Sequence, residues 1–257
     1  MACPWGLSYQ GSDLKNKLEN RAGNRLLRLL PSPVVGYRHS LDPFLLASFV
    51  QVKPSDRRAA DLGTGSGIIA LQLALRYADI TVTGVELQES LADLARQNVA
   101  LNNLEAKLVI LNKDIRKAAE WASPQEVDLV VSNPPYRIAG TGYFSPDPGR
   151  AAARHELAGG LEDFVAASAY LLKNGGRFFV IYLAERLADL LVVMRQKHLE
   201  PKRLRLVHSR FGDPAKLVLV EGRRAGKPGM KVDPPLFIYA GEDYTPEVQA
   251  CYQGGGD

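Results

Sequence analysis

From residue 58 to residue 198, short apolar runs alternate with stretches of helical period. A chain patterned this way can bury its strands only in a parallel sheet covered by helices. Residues 58–62, 80–86, 107–111, 127–132 and 177–182 read as strands, and helices are predicted over 68–77, 89–102, 161–172 and 185–198. The helix over 161–172 is expected to stop at Asn174-Gly175-Gly176. Two further strands, 203–208 and 216–221, are joined by a link too short for a crossover helix, so they pair antiparallel. The fold class is therefore α/β: a doubly wound, Rossmann-like sheet, mostly parallel, with an antiparallel C-terminal hairpin strand. Residues 1–25 are polar and irregular, 26–30 form a short strand ended by Pro31 and Pro33, and 41–50 form a helix. Residues 1–50 are expected to be an N-terminal extension packed on one main domain over 51–257, a size that a full core can support.

Composition narrows the function classes. The two cysteines, Cys3 and Cys251, stand near the termini, in no CxxC and near no histidine at ligand spacing. That speaks against a metal or a disulfide framework and for a reducing compartment. The first residues show no basic and then apolar leader, and no apolar stretch reaches spanning length, so the cytoplasm is expected and a membrane is not. The net charge of +4 is unevenly spread. Residues 195–231 hold eleven Lys/Arg against three acids, and residues 15–38 hold six against Glu19 alone. Basic ends around an acidic middle fit a polyanion footprint, and RNA is the expected partner. Solvated helix and strand edges would leave the same pattern.

The strand over 127–132 ends in Asn133-Pro134-Pro135-Tyr136. Proline has no N–H to give a ladder, so the chain must leave the sheet there. It leaves carrying an amide side chain, a free carbonyl on Pro134 and an aromatic ring. Two acceptors and a stacking face suit a planar nitrogen, an amino group conjugated to a ring or a carbonyl. As a bare tetrapeptide the run would more often be a plain turn.

Between the first strand and its helix lies Asp61-Leu62-Gly63-Thr64-Gly65-Ser66-Gly67. Gly63, Gly65 and Gly67 permit a tight turn and a close approach of backbone to ligand. The spacing is neither the dinucleotide G-x-G-x-x-G nor a P-loop. Glu86 ends the second strand, where an acid can accept both hydroxyls of a ribose. Asp61 and Asp114 end the strands on either side. Three carboxylates would repel a pyrophosphate, but they suit a ligand with an ammonium, a ribose and an exocyclic amine. S-adenosylmethionine (SAM) has all three: Asp61 for the ammonium, Glu86 for the ribose and Asp114 for the adenine amine, with Leu87 and Ile115 flanking the adenine. Taken singly, any of these acids can be a helix cap.

In this order, Asp61–Gly67, Glu86, Asp114 and Asn133–Tyr136 resemble the class I SAM-dependent methyltransferases, over roughly residues 34–222. The resemblance implies a Rossmann-like methyltransferase sheet and transfer to adenine N6, guanine N2 or glutamine N5. Val35-Gly36-Tyr37-Arg38-His39-Ser40-Leu41-Asp42, Ala153-Arg154-His155-Glu156 and the run from Lys216 to Arg224 are similar to the bacterial tRNA(Val) adenine-N6-methyltransferases. Members of that group modify the adenine next to the anticodon. The resemblance implies that Asn133 Oδ1 and the Pro134 carbonyl accept the two N–H bonds of N6, while Tyr136 stacks on a flipped base for ~1–3 kcal/mol. Most of the rate would come from orientation and placed acceptors, and no general base is assigned. A guanine-N2 rRNA enzyme, a protein glutamine-N5 enzyme and a non-catalytic RNA-binding module are the competing readings. His155 reads as a substrate contact or a solvated cap. Tyr37 and Asp42 read as closing over the cofactor or as core packing and helix charge.

Overall fold

The computed structural model describes residues 18–22, 25–30, 40–136 and 159–253. The chain enters as an antiparallel hairpin, β1 (Leu18–Ala22) and β2 (Arg25–Leu29), followed by α1 (Asp42–Phe49). Alternation then begins: β3 (Arg58–Leu62), α2 (Ile68–Arg76), β4 (Thr81–Glu86), α3 (Glu89–Leu101), β5 (Leu108–Asn112). A 3₁₀ turn at Ile115–Lys117 and the single-turn α4 (Ala118–Trp121) lead to β6 (Val127–Ser132). Next come α5 (Leu161–Leu171), β7 (Leu172–Leu183), α6 (Leu187–Gln196), β8 (Leu199–His208) and β9 (Ala215–Arg224). Two short strands, β10 (Lys231–Val232) and β11 (Leu236–Phe237), lie along β8. A small hairpin, β12 (Tyr239–Ala240) and β13 (Asp243–Tyr244), precedes α7 (Pro246–Gln253).

The main sheet runs β10-β8-β9-β7-β6-β3-β4-β5. Strands β3 to β7 are mutually parallel, and β9 is antiparallel to both β7 and β8, the one reversal expected from the short 209–214 link. The central strands are covered on both faces, which is why they read as continuous apolar runs rather than alternating ones. Leu129–Val131 and Phe178–Ile181 have no exposed surface at all. One face packs on α1, α2, α3 and α7, the other on α5 and α6. Strand order reverses between β3 and β6, so the crevice beyond their carboxyl ends is the ligand position in open sheets of this kind.

Several expectations are corrected. Residues 18–22 are a strand, not irregular chain, because they pair with β2 in full register. The helix over 161–172 ends at Leu171, and Asn174-Gly175-Gly176 is not its stop. Those residues already belong to β7, where Val127 pairs with Leu172 but Leu129 with Arg177, so the glycines form a bulge. A Cβ at Gly176 would sit 2.8 Å from the Lys173 carbonyl oxygen, which explains the residue there. The strands over 203–208 and 216–221 extend to ten residues each, and the C-terminal strands and α7 add structure beyond them. Leu27 and Leu29 of β2 and Val248 and Cys251 of α7 share one buried core with α1 and α2. β2 and α7 thus close over the same face.

Candidate active site

Three strand ends meet at one edge. Ser132, the last residue of β6, pairs with Leu62, the last of β3, and its hydroxyl donates to the Leu62 carbonyl at 2.9 Å. The Asn133–Tyr136 run and the glycine loop therefore leave the sheet side by side. On the other flank, the Gly63 and Thr64 N–H groups both donate to the Val85 carbonyl of β4, at 2.9 and 3.0 Å. Gly63, Gly65 and Gly67 have φ of 71°, 58° and 88°, the left-handed region closed to most side chains. A Cβ on Gly63 would also lie 2.9 Å from the Phe164 ring.

Asp61 is wholly buried. Its Oδ2 accepts from the Thr64 hydroxyl at 2.6 Å and from the Ala70 N–H at 3.2 Å, while Oδ1 has no partner among the described residues. Burial pushes its carboxyl up to about 7, with Thr64 and Ala70 pulling the other way and Glu86 adding repulsion. Glu86 accepts from the Gly65 N–H and from the Gln88 N–H, each at 2.9 Å, which ties the loop to the start of α3. Burial raises its carboxyl as well, against these bonds. Each Glu86 oxygen keeps a lone pair, so the bonds leave room for a diol. The third acid, Asp114, faces Arg116, whose guanidinium donates Nε and Nη2 to the carboxylate, the closest contact 2.6 Å. This pairing holds the Asp114 carboxyl below its usual range. Leu87 is half-buried beside Glu86, and Ile115 is almost fully buried in the α5 face of the core.

In the proline run, Pro134 is buried and Asn133, Pro135 and Tyr136 are half-buried. The Tyr136 hydroxyl lies 2.9 Å from Asn133 Oδ1 and 2.9 Å from Asp42 Oδ2 of α1. Its ring meets Tyr182 of β7 edge-on, with centroids 5.8 Å apart. Sequence reasoning left Asp42 between two roles; the structure places it, 2% exposed, against the tetrad. Thr64, Arg116 and Asn98 were missed. Asn98, in α3 and fully buried, donates to the Ser66 carbonyl at 2.9 Å and accepts from the Leu30 N–H at 2.8 Å. An asparagine in mid-helix gives no spacing signal for such a role, whereas Thr64 stood inside the loop itself. Tyr37, His155 and the runs 35–39 and 153–156 lie outside the described residues.

The basic C-terminal segment is partly neutralised from within. Arg195 pairs with Glu200, Lys197 with Glu162, Arg203 with Glu221 and Asp233, Arg205 with Glu247, and Lys231 with Asp233. Arg203 also lies 3.8 Å over the Phe49 ring, a packing role. The turn joining β8 to β9 lies at the same edge of the sheet as the Asn133–Tyr136 run, since Leu183 pairs with Leu217 and Leu217 with Val207. Arg210 and Lys216 are exposed there, and Phe211 is 89% exposed. Among the described residues no group of three His, Cys, Asp or Glu could hold a metal, and no helix is long and apolar enough to cross a membrane.

The family described as "Methyltransferase small domain" matches residues 41–196. The tRNA1(Val) (adenine(37)-N6)-methyltransferase of Porphyromonas gingivalis is 33% identical over 193 residues, 73% of this chain and 75% of that protein. The protein of the same name from Aeromonas hydrophila is 35% identical over 190 residues, 72% of this chain and 77% of that protein. Among solved structures, a predicted O-methyltransferase from Agrobacterium tumefaciens has a TM-score of 0.64 at 22% identity, covering 83% of this chain and 96% of that one. The Thermus thermophilus 16S rRNA N2 G1207 methyltransferase, solved with AdoMet and guanosine, has a TM-score of 0.58 at 20% identity over 81% of this chain and 50% of that one. At these identities the two structures are similar to this chain in fold alone.

Proposed function

The chain belongs to the methyltransferase small domain family, and from that membership we propose that it is an enzyme moving the methyl group of SAM to the exocyclic N6 of an adenine in tRNA. The adenine at position 37 of tRNA1(Val) is the first candidate, since relatives at 33–35% identity carry that name. One observation carries the reading: the Ser132–Leu62 pairing sets the Asn133–Tyr136 run, with its amide and its Pro134 carbonyl, directly beside a glycine loop backed by buried acids. The residues fit the cofactor, because the buried Asp61 Oδ1 lacks a partner among the described residues and a ligand ammonium would supply one. Glu86 would hold the ribose and Asp114 the adenine amine, exchanging part of its hold on Arg116. Leu87 and Ile115 would border the adenine ring. Gly63, Gly65 and Gly67 let the loop backbone approach the ligand closely. A cytoplasmic site of action fits a tRNA substrate. We also read residues 1–50 as an extension of the main domain over 51–257, because Leu27, Leu29 and α1 share its core.

When bound, SAM would supply an electrophilic methyl on a sulfonium; transfer would break the C–S bond, form C–N and pass one N6 proton to solvent water. N6 is a poor nucleophile while its lone pair is delocalised into the purine. The Asn133 carbonyl oxygen and the Pro134 carbonyl accept its two N–H bonds, draw nitrogen toward tetrahedral geometry and aim the lone pair. Pro134 and Pro135 have no N–H to give a ladder, so the chain leaves the sheet after Ser132 and the Pro134 carbonyl lies beyond the last β3–β6 pair. Tyr136, held edge-on by Tyr182, borders the base. The turn carrying Arg210, Phe211 and Lys216 offers cations and a stacking ring to the flanking RNA at the same edge of the sheet.

Asn133→Ala tests this assignment. It is expected to lower methyl transfer about 100-fold or more, as loss of a placed polar group at a reacting centre does, while SAM binding measured by calorimetry stays near wild type. Normal transfer in that variant would remove Asn133 from the chemistry.

A further inference from the structure

We propose, on the basis of the RNA reading above, that the sheet edge opposite the methyl-transfer site is a second RNA-binding surface, which takes phosphates of the substrate far from the methylated base. The carboxyl ends of β3 and β4 carry Asp61 and Glu86, with Asp114 just beyond β5. That edge is acidic, and the amino edge is the reverse. Arg57 and Arg58 stand at the start of β3, Lys202 lies near the start of β8, and Arg223, Arg224 and Lys227 lie where β9 ends. Strand register puts them in one row. Ala59 pairs with Leu129, Leu129 with Arg177 and Arg177 with Arg223, whose other partner is Glu200 of β8. Three strand spacings separate β3 from β9, about 14 Å at ~4.8 Å each.

Among the described residues none of these six cations has a carboxylate partner. Arg57 and Lys202 donate to backbone carbonyls, which leaves their charge in place. The acids nearby are already held. Asp128 accepts from Lys173 and from the N–H groups of Arg57 and Arg58, Asp56 pairs with Arg177, and Glu200 with Arg195. Glu126, half-buried before β6, is set against the row. Like charges gathered this way repel one another until a polyanion lies across them. Lys216, at the turn beside the site, and Arg224 are eight residues apart on β9, about 27 Å at ~3.4 Å per residue. At physiological salt a charge is screened beyond ~8 Å. The amino-edge cations therefore do not act through space on the phosphates flanking the target base. They act on phosphates that reach them, so the preferred substrate is an RNA with a folded body rather than a short single strand. The β8–β9 hairpin touches such an RNA at both ends: by its turn near the methylated base, and by Lys202, Arg223 and Arg224 far from it.

Hydroxyl-radical footprinting of unmodified tRNA tests this, with SAM affinity and thermal melts measured on each variant. Wild type is expected to protect two separate stretches, one around the methylated nucleotide and one elsewhere in the molecule. R223E/R224E is expected to lose the second stretch alone and to bind tRNA about tenfold or more weakly. Its binding is also expected to depend less on salt, with a log–log slope shallower by about 2, while SAM affinity stays near wild type. K202Q/K227Q is expected to weaken the same stretch, and it decides the matter if the charge reversal does not fold. A single protected stretch on wild type, or both stretches kept or lost together in the folded variants, overturns the proposal. Footprints are read without methyl transfer. Label in N6-methyladenosine with one stretch therefore removes the second surface and keeps the enzyme assignment, whereas two stretches without that label do the reverse.

Discussion

Asp61 shows how a single residue can trade stability for binding. Its carboxyl is wholly buried and raised to about 7, chiefly by loss of water. In the unfolded chain it titrates near the ordinary value of 3.8. Below about pH 4 both states hold the proton and the site costs nothing. Between about 4 and 7 the folded state keeps a proton that the unfolded chain has released, so stability falls as pH rises; above about 7 the full cost is present. Asp61→Asn removes the charge and keeps an acceptor for Thr64 and Ala70. Relative to wild type, the variant is expected to gain a few kcal/mol of stability between pH 4.5 and pH 8. Denaturant titrations at the two pH values check it, and a difference that does not change with pH would contradict it. SAM affinity should fall in the same variant, since the ammonium loses its charged partner.

At the scale of elements, the glycine loop is braced from the N-terminal hairpin through one side chain of α3. Asn98 joins the Leu30 N–H after β2 to the Ser66 carbonyl of the glycine loop, with no solvent reaching the amide. Asn98→Ala would strand two backbone groups at the core edge, and is expected to destabilise the fold by about 2 kcal/mol or more and to weaken SAM binding with it. Thermal melts and a binding isotherm on the same variant check both halves; unchanged SAM affinity would separate the hairpin from the loop. None of this was legible in the sequence, because polar residues inside a helix pattern are ordinary. The five parallel strands and their helices were legible, since strands buried on both faces write continuous apolar runs. The glycine loop, the three acids and the proline run were legible too, being bound to strand ends. What failed had a local reason: Gly175 and Gly176 look the same in a helix stop and in a bulge, and the pairing of β6 with β7 decides between them. The side chains that clamp the acids, Arg116 above all, follow from turn geometry that no spacing rule predicts.

At the scale of the whole molecule, the sheet gathers its chemistry at one edge. The carboxyl ends of β3, β4 and β6 bring the loop, Glu86 and Asn133 together, and the turn after β8 opens at the same edge. Five of the cations between residues 195 and 231 have carboxylate partners. The cations with a clear relation to the site are fewer, and they sit around Phe211. The central claim is methyl transfer to adenine N6 in tRNA. The direct measurement is incubation of the wild-type protein with labelled SAM and unmodified tRNA, rRNA and protein in parallel, followed by mass analysis of the products. Label in N6-methyladenosine from tRNA is the expected result; label confined to N2-methylguanosine from rRNA, or to glutamine in protein, would contradict it.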